Sequence, residues 1–254
     1  MKPPTESGTS GSPTAGSPNF ATTQWSLVLH AGRSQPALAH DALSALCRTY
    51  WPPLYAYVRR RGHSIHDAQD LTQAFFARLL DQDWIQRADP GKGRFRTFLL
   101  TALSRFLANE WDRVRTQKRG GDVHFVSLQL EGAEERYGGG PKDNRTPEQA
   151  FERRWALTLL DQVLLKLEAA ESAEGRATQF TALKPCLTGA SEAQPYAELS
   201  RRLDLSEAAL KVAVHRLRQR YRALLRAEVA HTVLGPNDVD AEMRHLCKVL
   251  AGST

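Results

Sequence analysis

Cysteine is scarce in this chain: there are three in 254 residues, and Cys47, Cys186 and Cys247 stand far apart. A zinc site needs ligands at short, paired spacings, and a disulfide framework needs an even, patterned set, so neither can be read here. A scattered, odd number suits a reducing compartment, and a cytoplasmic location is the expectation. Long apolar runs are missing as well. Residues 2–18 are rich in Ser, Thr, Gly and Pro, so this stretch is expected to be neither a signal peptide nor a membrane anchor, and no membrane partner is expected. A disordered tail over 1–19 is the expected reading. Internal repeats are lacking, and no nucleophile set suggests catalysis.

Acidic residues are missing from one block. Lys211, Arg216, Arg218, Arg220, Arg222 and Arg226 follow one another with no Asp or Glu between them. A second block holds Lys92, Arg94, Arg96, Arg105, Arg113, Arg115, Lys118 and Arg119 against only Glu110 and Asp112. The formal net charge is +6. Glu131, Glu134, Glu135, Glu148, Glu152, Asp161, Glu168, Glu171 and Glu174 gather between the two blocks. Two separated basic blocks suggest two contacts with a phosphate backbone, although charge runs are more often solvated helix faces.

With 41% hydrophobic and 24% charged residues, the composition is that of a folded protein of one large or two small domains. From Phe20–Trp25 to Arg119 the apolar spacing is helical. Gly120–Arg145 then breaks it with Gly120-Gly121 and Gly138-Gly139-Gly140-Pro141, which marks a linker. A short strand-like run, Val123–Leu130, lies inside it. Thr146-Pro147-Glu148-Gln149 opens a new helix: Thr146 can cap it, Pro147 loses nothing at the first helical position, and Gln149 can complete a capping box. Phe151, Trp155, Leu159, Val163 and Leu167 follow at helical spacing. The spacing of Val239, Met243, Leu246, Val249 and Leu250 predicts a short terminal helix.

The most specific local signal is Tyr196–Leu225. Leu199 and Leu203 give a short helix an apolar side, and the small Ser200 permits close packing. Asp204-Leu205 makes a tight turn, with Ser206 as N-cap. Leu210, Val214, Leu217, Tyr221 and Leu224 then form one apolar stripe, with Lys211, His215, Arg218 and Arg222 opposite, flanked by Arg216 and Arg220. This is the pattern of a helix-turn-helix that sits in a major groove. Glu207, Ala208, Lys211 and Val212 are expected to approach base edges, and the later arginines, Arg216 and Arg218 among them, to contact phosphates. Ser206 and His215 are also among the expected DNA contacts. A basic amphipathic helix for a membrane is the alternative; the narrow apolar stripe and the preceding helix and turn argue against it.

In the N-terminal half, Ser64-Ile65-His66-Asp67 caps a helix on which Ala68, Leu71, Phe75 and Leu79 point one way. Asp70, Gln73 and Phe76 fall elsewhere and are expected to form an acidic and aromatic patch. Gly93-Arg94-Phe95-Arg96-Thr97-Phe98-Leu99 leads into a long helix with Phe95, Phe98, Leu99, Ala102, Leu103 and Phe106 on its buried face. Arg105, Asn109 and Arg113, four apart, make a polar stripe near Trp111, suited to phosphates, base edges and stacking on an unpaired base. The basic loop Asp89-Pro90-Gly91-Lys92-Gly93 precedes it.

In these segments the chain resembles the extracytoplasmic-function sigma factors of bacterial RNA polymerase. Asp67–Phe76 is similar to the family's region 2 helix that docks on the clamp coiled coil of the core enzyme. Phe95–Leu99 and the following helix resemble the segment that opens the minus-ten element, and Tyr196–Arg218 resembles the region 4 helix-turn-helix that reads the minus-thirty-five element. Tyr50-Trp51-Pro52 and Arg222–Val233 resemble a planctomycete-type branch. The resemblance implies an all-α fold of two small helical domains joined by a flexible linker: a tail at 1–19, region 2 over 20–120, a linker over 121–146, region 4 over 147–233 and a C-terminal tail with a short helix over 234–254.

The resemblance further implies a non-catalytic, cofactor-free promoter-specificity subunit. Its partners are core polymerase and promoter DNA, and an anti-sigma factor is a partner such proteins can have. Lys92, Arg94, Arg96, Phe98, Arg105, Asn109 and Arg113 are the expected region 2 DNA contacts. Asp67, Asp70, Leu71, Gln73, Phe75 and Phe76 are the expected core-polymerase contacts. Three positions depart from the family pattern: Phe98 for a frequent Trp, Arg105 for a common Asn, and Asp204 for a usual Gly. The segment Ala169–Gln194 is also longer than in compact members. Two other functions compete: a helix-turn-helix regulator that never engages polymerase, and a metal-dependent enzyme at His63, His66, Asp67 and Asp70, residues that helix capping already explains.

Overall fold

A computed structural model describes residues 36–79, 94–116, 144–188, 196–233 and 235–252. The tail at 1–19, the basic loop 89–93 and the run 123–130 lie outside the described residues, as does all but the end of the linker. Helix α1 spans Pro36–Arg60, α2 Ile65–Leu79, α3 Phe95–Thr116, α4 Pro147–Ala173, α5 Ala177–Leu183, α6 Pro185–Thr188, α7 Tyr196–Leu203 and α8 Glu207–Ala230. A 3-10 turn at Pro236–Asp238 leads into α9, Val239–Ala251. No strand occurs among the described residues, and the fold is all-α as expected.

Three helix starts follow from their capping residues. Ser64 Oγ accepts the Asp67 amide at 3.1 Å, and its hydroxyl donates to Asp67 Oδ2 at 2.7 Å. Thr146 and Gln149 exchange reciprocal bonds of 3.0 and 3.2 Å in a complete capping box. Ser206 Oγ accepts the Ala209 amide at 3.2 Å. Each pairs backbone donors that a helix start leaves without partners.

Helix α1 is held by packing rather than by propensity. Pro52 and Pro53 in its interior remove two backbone donors, a loss that tertiary burial must offset. Leu46, Tyr50, Trp51, Leu54, Tyr55, Tyr57 and Val58 are all buried. Trp51 stacks on Tyr55 at 4.9 Å between centroids, and Tyr50 meets the edge of Phe95 at 5.2 Å. Gly62, with φ +92°, turns the chain from α1 towards α2, a conformation glycine adopts at little cost.

The apolar residues form two clusters, and these do not divide at the linker. The larger joins α1, α2 and α3 to Phe151, Trp155, Leu159 and Val163 of α4, Leu225 and Val229 of α8, and Val239, Leu246 and Val249 of α9. Helix α1 packs most extensively on α4; Gln162 donates to Thr49 at 3.1 Å across that contact. The smaller cluster holds Leu167, Phe180, Leu183, Leu199, Leu210, Val214 and Leu217. The first half of α8 thus belongs to the smaller cluster and its second half to the larger.

Candidate nucleic-acid interface

Helices α7 and α8 meet at a tight turn. Asp204 has φ +49°, so it takes the left-handed conformation where the family pattern has Gly; Asp tolerates it better than most residues. The Leu205 amide donates to Ser200 O at 3.1 Å, and the Ser200 hydroxyl donates to the Leu205 carbonyl. Ser200 is therefore a turn-closing hydrogen-bond partner as well as a small packing residue. Leu210, Val214 and Leu217 are buried against Leu199, Phe180 and Leu183.

The opposite face of α8 is open. Ser206, Glu207, Ala208, Lys211, His215, Arg216, Arg218 and Arg222 are exposed, and Val212 is 48% exposed. All eight residues expected to contact DNA on this helix therefore lie at the surface. The basic block is nonetheless partly engaged within the protein. Arg218 donates to the Cys186 carbonyl at 3.0 Å, Arg226 pairs with Asp240 at 2.6 Å, and Arg220 pairs with Glu171 and Glu174. Lys211, Arg216 and Arg222 form no ion pair with any described residue, which leaves them available to phosphates.

Glu171 anchors α8 on α4, a role no local spacing announces. Its buried carboxylate accepts from Arg176 Nε at 2.6 Å and from Arg220 Nη1. The Arg176 hydrogen bond, aided by Arg220, holds the Glu171 carboxyl below the usual range, and both guanidinium groups are held more firmly charged in return. A groove of about 560 Å³ runs beside this cluster, with His215 and Arg216 on its α8 wall.

On α3, Arg105 and Asn109 are exposed and four apart, and Trp111 is exposed near them. Phe98 is half-buried and stacks on Phe95 at 6.0 Å. Lys92 and the Arg113 side chain lie outside the described residues. One expectation needs correction here. Arg96 is 3% exposed: its guanidinium lies 4.4 Å from the Trp155 ring centre, Nε donates to Glu152 at 3.0 Å, and Nη1 pairs with Glu242. It reaches no phosphate in this arrangement. Burial lowers its pKa from the ordinary arginine value, with Glu152 opposing. Arg94 is only partly exposed and pairs with Glu242 at 3.1 Å.

The α2 patch also changes. Asp67 and Asp70 are exposed, and Leu71 and Gln73 are half-buried. Phe75 and Phe76, however, are both buried, Phe76 at 4% exposure. Helix α2 turns a wider stripe inward than Ala68, Leu71, Phe75 and Leu79, because Thr72 and Phe76 are buried as well. No docking partner can reach either ring, so the available patch is acidic and polar, not aromatic. Nor do the histidines at the start of α2 assemble a site: among the described residues no group of three or more His, Cys, Asp or Glu could hold a metal ion.

Residues 46–119, from the middle of α1 to beyond the end of α3, match the Sigma-70 region 2 family. That stretch is less than a third of the chain, and it is similar to sigma-70 region 2. The matched stretch contains the α2 patch and the exposed α3 stripe, and the match supports a sigma-factor role in general. The chain matches none of the curated proteins and none of the solved structures with which it was compared. No helix among the described residues is long and apolar enough to cross a membrane.

Proposed function

We propose that this protein is an RNA polymerase sigma factor of the extracytoplasmic-function type, in a planctomycete-type branch, which directs core polymerase to particular promoters in the cytoplasm. The region 2 match carries this reading; the exposed basic face of α8 extends it. In this reading α2 docks on core polymerase through Asp67, Asp70 and Gln73. The exposed face of α3, with Arg105, Asn109 and Trp111, holds the unpaired non-template strand. Helices α7 and α8 act as a helix-turn-helix on upstream duplex: Glu207, Ala208, Lys211 and Val212 face base edges, and Arg216 and Arg222 face phosphates. The chemistry of RNA synthesis belongs to the core enzyme; this chain supplies address and strand opening.

A pull-down with core polymerase tests the reading. The intact chain is expected to retain the core enzyme. Failure to do so, in a chain that still binds duplex DNA, would leave a regulator that works without polymerase. The open face of α8 serves both readings equally, and the region 2 match favours the sigma factor.

A further inference from the structure

Helix α9 lies against Arg94 and Arg96 at the start of α3, about three turns before the exposed Arg105 and Asn109 assigned above to single-stranded DNA. Its Val239, Leu246 and Val249 enter the larger apolar cluster, which also holds Phe95 and Leu99. Glu242, on the same helix, is 0% exposed and sets one carboxylate oxygen against Arg94 and the other against Arg96. His245 meets Glu152 at 2.9 Å, and Arg153 donates to the Leu250 carbonyl at 3.2 Å. Asp240 reaches Arg226 of α8 at 2.6 Å.

Two features distinguish Glu242 from an ordinary structural acid. It is fully buried, yet it contacts two guanidinium groups at once. A buried carboxylate depends on such partners to compensate its lost hydration. In addition, Arg96 already has Glu152 as a partner with good geometry, so Glu242 is a second acid for that arginine while also pairing with Arg94. With Glu242 in place the two arginines and two carboxylates are neutral together. With it withdrawn, Arg94 is uncovered and the group carries one positive charge.

We infer that α9 is a built-in competitor for the DNA strand: Glu242 occupies the place beside Arg94 that a backbone phosphate of the unpaired strand would take, so α9 must lift before region 2 engages that strand fully. This rests on the sigma-factor reading and adds to it a regulatory segment. The order of events is set by charge. A phosphodiester presents the same anionic oxygens as a carboxylate to a guanidinium, and Arg accepts either. A strand that also gains contacts at Arg105 and Asn109 can displace an acid tethered on a short helix.

Titration of the full-length chain with a fluorescein-labelled, mixed-sequence 20-nucleotide single strand tests this. Glu242→Gln is expected to bind on the order of tenfold more tightly than wild type, the effect of removing one competing negative charge beside Arg94. The gain should vanish when Arg94→Ala is added, since the two changes act through one contact. Equal affinity of wild type and Glu242→Gln, no binding by either, or a gain that survives Arg94→Ala would overturn the proposal. Hydrogen exchange on the unaltered chain guards against a misfolded variant. Amides of α9 should lose protection when the same strand is added to saturation, and unchanged protection at saturation would overturn it too. Core polymerase takes no part in either measurement, so a failed pull-down and a failed strand titration are separable results.

Discussion

Arg96 and Glu171 show how far a single side chain can depart from what its local sequence suggests. Arg96 stands in a basic run yet is buried on Trp155. Trp155→Ala therefore removes both a core ring and the face that carries this cation. A loss of about 3–5 kcal/mol in unfolding free energy is expected, measured by urea denaturation with unchanged slope. Glu171, with a carboxyl depressed in the folded state chiefly by Arg176, contributes stability that is present above the ordinary carboxylate range. That contribution is lost as pH falls through the lower folded-state value. Glu171→Gln should lower the melting temperature by a few degrees at neutral pH, and the difference should shrink in acid; a constant difference at all pH values would contradict the assignment. Cys47 adds a third test. Burial pushes its thiol up to about 11, whereas Cys247 is exposed. Thiolate is the reactive form, so a maleimide at neutral pH should label Cys247 well before Cys47, as read by peptide mass.

At the scale of elements, caps and stripes carry most of the legible information. The starts of α2, α4 and α8 are readable because Ser64, Thr146 and Ser206 act within three residues of their partners. The turn at Asp204 is readable for the same reason. The inward turn of Phe76 is not, because burial of a second stripe on α2 depends on α1 and α3 approaching from two sides. The docking test must change accordingly: Asp70→Ala with Gln73→Ala should weaken core-polymerase binding in a folded chain. Phe76→Ala should instead destabilise it by about 3–5 kcal/mol. On α8, Lys211→Ala with Arg216→Ala should weaken duplex binding and reduce the log–log salt slope by up to ~0.9 for each phosphate that these side chains neutralise. Core binding should be unaffected, and an unchanged salt slope would remove these two residues from the interface.

At the scale of the whole chain, the residue pattern shows an all-α protein and the helices that bear the candidate site. What it does not show is how the halves meet. The apolar stripe of α4 is plain, but its partner, α1, lies about a hundred residues upstream, and no periodicity specifies such a pairing. Glu152 and Glu242 likewise stand far in sequence from Arg94 and Arg96. The resulting arrangement buries the start of α3 while leaving α8 open, so the two proposed DNA surfaces differ in readiness. The central claim, that this chain directs polymerase to promoters, is tested most directly by run-off transcription from a library of genomic fragments with core polymerase. The account predicts discrete transcripts that require both proteins and vanish with Asp70→Ala plus Gln73→Ala. Transcripts no different from those of core polymerase alone would contradict it.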